Sequence, residues 1–568
     1  MTSGVDETLL PTEKDIEDEV NRHTGILKNF KIAKCERQRF AVFGLMFGII
    51  SFIYSFMRIL KDNYVMSRQD PVCILYIKLI YITPLSFIVV MCINYMLTKR
   101  TVSKLFTIFC ILFMGIFALL GTFVIFERHI PLDSKGIDSK LESYSFETRG
   151  LGFLKYLLLT INEPLATTVY VVAELWGSLI LSYLFLSFMN EICTAKQNGR
   201  FIPPLFIIAN VSLFLSAMVT TVFFKIQEKL TNEQNALFMG SIFFLESFLV
   251  LCILYCKYVL ETKIITKPIF ISDTIKKSKG PKLSTSFKES IKMMAKSKFL
   301  LGMCTIICFY SVAYNILETV FKNGIKRAAD MKDVDRGKYS GKFNSYDQYI
   351  TSVSVMFLNL SSFSNYVDTK GWLLVALITP ITAFISSFCI LGLGSYNSAT
   401  EDGSLRFLNR MFNGSPAFYS LENYLGAFCL AALKVFKYAA FDVTKERISM
   451  RLDPKQRPKF KSVFDGIFNK FGKSMGAVYG ILMINFVSEI DFRGMSPVNL
   501  AFVGIILASW TFWVFYLGKS YNKSVKADEP IDIDLIELED SDEKTEEQKL
   551  AEIKLPKADE FDAIKSKE

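Results

Sequence analysis

Apolar residues in this chain run in long blocks separated by short charged stretches, with none of the strict alternation of half-buried strands. Twelve blocks are long enough to cross a bilayer: 40–61, 73–97, 105–126, 164–189, 201–224, 236–260, 299–321, 347–366, 371–394, 420–441, 464–489 and 497–518. A hydrocarbon core offers no water to backbone groups, so blocks of this length predict helices rather than barrel strands. The eighth carries Asn359, Ser361, Ser362 and Asn365, and the eleventh carries Lys470 and Lys473, which makes these two the least apolar. The expected class is an all-α polytopic membrane protein with twelve transmembrane helices.

The polar stretches divide the chain. A mixed-charge tail spans 1–39, a six-helix half 40–262, a basic linker 263–298, a second six-helix half 299–519 and an acidic tail 520–568. The N-terminal tail lacks the basic start and apolar run of a cleavable signal. The acidic tail is expected to be solvated. The linker holds ten lysines against two acids, Asp273 and Glu289. With twelve crossings, the linker, both termini and the basic loops 98–104, 190–200 and 442–463 share one side. Basic loops stay inside, so both termini are expected in the cytoplasm. The loops 127–150 and 322–346 are then expected outside and look enlarged, and Asn413-Gly-Ser is a glycosylation signal in another outward loop. Without an import signal, the expected location is the cell membrane, with an organelle reached by an internal signal as the alternative. Two six-helix halves around a basic centre resemble the layout of the major facilitator carriers, whose halves rock around a midplane site.

Composition narrows the chemistry. Apolar residues make up 51% of 568, which argues against a soluble enzyme, a disordered scaffold or a disulfide-rich module. The two histidines, His23 and His129, leave little for metal ligation or general-base catalysis. The 11 cysteines lie mostly in apolar blocks; Cys252/Cys256 and Cys304/Cys308 have helical spacing and read as small core residues. There is no G-x-x-x-x-G-K-[ST] loop, and Gly392-Leu-Gly394 reads as helix packing. The net charge of +10 reflects the positive-inside bias rather than nucleic-acid binding. No cofactor and no metal are expected.

A charge inside a span costs about 3 kcal/mol on insertion scales, so it normally faces a cavity or a partner. The first block ends with Tyr54, Arg58 and Lys61 on one face. The fourth has the single charge Glu174, near Tyr170 and Ser178, and the seventh has Glu318, near Ser311, Asn315 and Lys322. The tenth carries Lys434, Lys437 and Tyr438, followed by Asp442 and Lys445. By analogy with the facilitator layout, spans 1, 4, 7 and 10 line the cavity. Lys78 and Glu246 fall outside this pattern and read as helix-pairing charges. Arg58-Ile-Leu-Lys61 and Asn315-Ile-Leu-Glu318 form a faint echo between the halves. Bases with few acids suit a multiply charged anion, and Tyr54, Tyr170, Tyr314 and Tyr438 offer flat rings, which together suggest a nucleotide.

Specific words then become legible. Ala173-Glu-Leu-Trp-Gly-Ser178 resembles the most distinctive motif of the ATP/ADP translocases, the nucleotide transporters of plastids and obligate intracellular parasites. Arg58-Ile-Leu-Lys-Asp62 is similar to the end of that family's first helix. Asn190-Glu-Ile-Cys-Thr194, Arg200-Phe201 and Ala209-Asn210 resemble its fourth-to-fifth helix connection. Lys437-Tyr438, Phe441-Asp442 and Thr444-Lys-Glu446 resemble its tenth helix, and Leu452-Asp453, Lys459-Phe-Lys461, Asp465 and Gly472-Lys-Ser474 the segment after it. The Lys- and Phe-rich character looks most like the microsporidian branch.

The resemblance implies a facilitator-like fold and exchange of ATP for ADP, as in import of host-derived ATP. Its charged transport residues carry over to Lys61, Glu174, Glu318 and Lys461, and a polar fifth-helix position to Asn210. Lys445 or Lys473 is the alternative to Lys461, and Arg58 and Lys437 complete the candidate substrate-binding set. Near Ala376–Pro380 the chain lacks a base that some plastid members have, which leaves base selectivity and coupling open. The rival reading is a proton-coupled importer of several purine nucleotides, in which a carboxylate carries the proton. A membrane-embedded enzyme or a receptor is the remote alternative.

Overall fold

The computed structural model describes residues 16, 18, 19, 32–97, 99–127, 152–193, 195–265, 297–361, 363, 366–401, 406–452, 468–486 and 492–531. Among these, ten helices are long and apolar enough to cross a membrane. Together with the helices at the eighth and eleventh blocks, they run in order as α1 Lys34–Arg68, α2 Cys73–Leu97, α3 Val102–Phe126, α4 Pro164–Ile192, α5 Arg200–Gln227, α6 Glu233–Ile264, α7 Lys298–Met331, α8 Arg336–Leu360, α9 Trp372–Ala399, α10 Tyr419–Met450, α11 Asn469–Phe486 and α12 Phe492–Ala527. The described residues contain no strand.

Helix starts follow local chemistry. Thr231 and Gln234 form a reciprocal capping box before α6. The Ser297 hydroxyl accepts from the Leu300 N–H at 3.2 Å before α7, and the Asp335 carboxylate from the Lys338 N–H at 2.7 Å before α8.

The expected outer loop 322–346 is corrected by the structure. α7 continues to Met331 and α8 begins at Arg336, leaving a short turn in which Asp333 has a φ of 52°. Half of the ten charges in that stretch are ion-paired: Lys322 with Asp62, Lys326 with Asp70, Arg327 with Glu401 and Arg336 with Asp330. The two blocks read as least apolar, the eighth and eleventh, are the two whose helices are not among the ten long and apolar enough to cross a membrane. α8 falls short because it turns a polar face inward: Ser340, Ser345, Asp347, Gln348, Thr351 and Ser352 are all buried. α11 is an 18-residue helix bearing Lys470 and Lys473. The loop residues 128–150, most of the linker, Lys461 and most of both tails lie outside the described residues.

Buried apolar side chains form two large cores. One spans Ile32 to Ile264, from α1 to α6; the other is built from Phe299 to Ile531, joined by Met66 at the end of α1. The outward surface is apolar, as a lipid-facing surface should be, with Leu119 and Phe123 on α3, Phe248 and Tyr255 on α6 and Phe384 and Phe388 on α9 exposed. The two sets of helices meet where α8 packs on α1 and α5, and where α11 packs on α2. At the first contact, Gly341 gives room to Phe224, whose ring would lie 2.2 Å from an added Cβ. Gln348 donates to the Ser55 carbonyl at 2.8 Å. At the second, the Thr83 and Ser474 hydroxyls are 3.0 Å apart.

Candidate functional site

The run Ala173–Ser178 explains itself in three dimensions. Trp176 is fully buried, donates its indole N–H to the Ile50 carbonyl at 3.2 Å and meets Phe113 edge-on at 5.2 Å. Gly177 lets the Tyr54 ring lie on the helix; an added Cβ would sit 2.3 Å from it. These two residues press α4 against α1 and so set where Glu174 points. Glu174 accepts a hydrogen bond from Lys61 on α1, and the Lys61 ammonium also lies 4.1 Å from the centre of the Tyr170 ring.

A second set links the halves. Lys78 on α2 donates to Asn315 at 2.9 Å and to Glu318 at 3.0 Å, both on α7. Lys322, one turn further along α7, lies 3.5 Å from Glu318 and 3.0 Å from Asp62 on α1. Asn344 on α8 also reaches Asp62, at 3.4 Å. Lys78 therefore does pair helices, and it does so across the two halves. Glu246 does not: it is buried in α6, and neither carboxylate oxygen has a hydrogen-bond partner among the described residues.

A third set centres on Asp347 of α8, which accepts a hydrogen bond from Lys434 on α10 and lies 3.7 Å from the Arg58 guanidinium on α1. Across the three sets, five bases (Arg58, Lys61, Lys78, Lys322, Lys434) meet four acids (Asp62, Glu174, Glu318, Asp347). Pairing is what makes so many charges tolerable at membrane depth. Arg58, Tyr314, Lys322, Asp347 and Lys434 border a cavity with about 20 Å³ of room. That holds a water molecule, not a large anion.

The other candidates fall elsewhere. Lys437 and Lys445 share Asp442, at 3.0 and 3.3 Å, further along α10. Stacked tyrosines connect this cluster to the centre: Lys437 lies 6.0 Å from the Tyr310 ring and Lys434 5.7 Å from that of Tyr314. Lys473 is exposed on α11 and contributes to the field at Glu174. The Asn210 amide donates back to Phe206 at 2.8 Å within its own helix, and Asn210 does not border the central cavity.

The sequence reading missed Asp62 and Asp347 as partners. Asp62 was visible as the residue after Lys61, and Asp347 as a lone acid in a weak span. A further local feature was not legible at all. α2, α4 and α10 widen into π-helical segments at Ile77–Ile82, Trp176–Leu184 and Lys437–Phe441. Lys78 and Lys437 lie inside such segments, and Glu174 two residues before one. A π segment changes the angle at which later side chains leave the helix, and such segments recur at functional sites.

An all-helical membrane bundle in two halves, with an ion-paired polar centre between them, defines the architecture of a solute carrier. The model of the TLC ATP/ADP transporter family matches residues 15–521, and the chain belongs to that family. It is 46% identical over 533 residues to ADP,ATP carrier protein 1 of Encephalitozoon cuniculi, covering 93% of this chain and 94% of that one. It is 31% identical over 532 residues to ADP,ATP carrier protein 1 of Paranosema grylli, covering 93% and 96%. Among solved structures, a bacterial homologue of the iron transporter ferroportin in an inward-facing state aligns with a TM-score of 0.45 and 14% identity, over 85% of this chain and 98% of that one. That likeness is too distant for its cargo or its conformational state to transfer.

Proposed function

We propose that this chain exchanges ATP for ADP across a membrane by alternating access, with the basic loops and both termini on the cytoplasmic side of the cell membrane. In a host-dependent cell the direction of use is import of ATP. The observation that carries the reading is the Lys61–Glu174 pair, held over Tyr170 where α1 and α4 meet. A lysine in that position is a point charge for phosphate. A glutamate beside it keeps the empty centre from holding an unpaired buried charge.

Binding then becomes an exchange of anions. Phosphate oxygens take Lys61 from Glu174, and Arg58, one turn away on the same helix, adds a planar donor. The released Glu174 feels the field of Lys473. The pairs Lys78–Glu318, Lys322–Asp62 and Lys326–Asp70 cross between the halves and must break when the other end of the carrier closes. Packed interfaces of this kind switch between discrete arrangements rather than deforming continuously. A loaded centre with its bases neutralised by phosphate crosses quickly, and an empty one crosses slowly. That difference enforces exchange.

The test is counter-flow in proteoliposomes. External ATP should drive release of preloaded labelled ADP. Efflux at the same rate without external nucleotide would sink the exchange reading, and uptake driven by a pH gradient alone would replace it with proton coupling.

A further inference from the structure

Asp347, like Glu318, touches bases from both halves. Its Oδ2 accepts from Lys434 of α10 and lies 3.7 Å from Arg58 of α1. Asp347 and Lys434 are both buried. The other carboxylate oxygen, Oδ1, is buried with no hydrogen-bond partner among the described residues. The same carboxylate borders the central cavity, beside Tyr314 and Lys322. An ion pair serving only to glue helices would be expected to satisfy both oxygens, because an unfilled buried acceptor costs stability. Here a lysine donates to one anionic oxygen with an arginine close by, while its neighbour stays unfilled among the described residues. Both bases are of the kind that bind a phosphate group, and neither is saturated by this carboxylate.

We propose that Asp347 is an internal stand-in for a substrate phosphate: it holds Arg58 and Lys434 while the centre is empty, and a phosphate group of the nucleotide displaces it from both. The proposal rests on the nucleotide-exchange reading and adds Lys434 and Asp347 to its site. Arg58 and Lys61 are i, i+3 neighbours on α1, so a di- or triphosphate chain reaches both base clusters at once. Asp347 then sets affinity by competition. It lowers the apparent affinity for nucleotide and, by recapturing the bases, speeds release.

The experiment is exchange kinetics of Asp347→Asn in proteoliposomes. The amide keeps the shape and loses the competing charge. The expected result is a KM for ATP and ADP lowered at least about threefold, with a reduced maximal rate, and a wild-type KM in Asp347→Glu. An unchanged or raised KM in Asp347→Asn overturns the proposal. Should that variant fail to insert, Arg58→Gln and Lys434→Gln decide instead. Each should raise KM by about tenfold or more, and a wild-type KM in either overturns the assignment. Exchange by the wild-type chain in the same liposomes reports on the function reading, so the two failures are told apart.

Discussion

Lys78 of α2 and Glu318 of α7 lie 3.0 Å apart, and through this contact a helix of the first half holds one of the second. Asn315, one turn before Glu318, takes the same ammonium at 2.9 Å, so Lys78 is anchored at two points. Both side chains are mostly shielded, with 18% and 19% exposure, and each makes the other's position tolerable.

A charge reversal tests this contact. Lys78→Glu and Glu318→Lys should each cut exchange by about tenfold or more, because each leaves two like charges facing one another. The double reversal should regain a measurable part of the rate. A double variant as inactive as either single would mean that the two residues act independently. Nucleotide counter-flow, normalised to the amount of inserted protein, reads the outcome.

Lys61 and Glu174 should behave as one unit. Lys61→Ala and Glu174→Gln are each expected to impair uptake while membrane insertion is retained. The double variant should lose little more than Lys61→Ala alone, since residues in direct contact are not additive. Normal uptake in both single variants would remove these residues from the site.

The contact of Gly177 with Tyr54 predicts a steric effect with a rescue. Gly177→Ala puts a methyl group 2.3 Å from the ring. Overpacking of this kind typically costs about 1–3 kcal/mol. The melting temperature in detergent should fall, and Tyr54→Ala in the Gly177→Ala background should recover part of the loss. A melting curve unmoved by Gly177→Ala would show that α1 and α4 can separate freely at this level.

Trp176 supplies a milder probe of the same seam. Trp176→Phe removes the N–H that reaches the Ile50 carbonyl and leaves that carbonyl without this partner. A loss of about 1 kcal/mol in stability is expected, with the KM for nucleotide unchanged, because Trp176 braces α4 and does not face the cavity. Equal changes in KM and stability would place it in the site itself.

Much of the architecture was legible in the chain because lipid imposes a simple rule: long apolar blocks become helices, and the charges inside them need a reason. That rule marked Arg58, Lys61, Glu174 and Glu318 and located the helices that carry them. It misjudged 322–346, where dense charge reads as a loop although Lys322, Lys326, Arg327 and Arg336 each find an acid. It undervalued α8, whose polar residues face inward and so dilute its hydropathy.

Tertiary structure alone decided which charges meet. Lys61 takes a partner in its own half and Arg58, three residues earlier, one from the other half. Lys78 reaches α7, 240 residues away in sequence. Such choices depend on how each helix is rotated and where its winding loosens to a π segment, and on which half packs against which. Those are properties of the assembled bundle. The pattern of apolar and polar letters states that a charge is buried, and only the packing states against what.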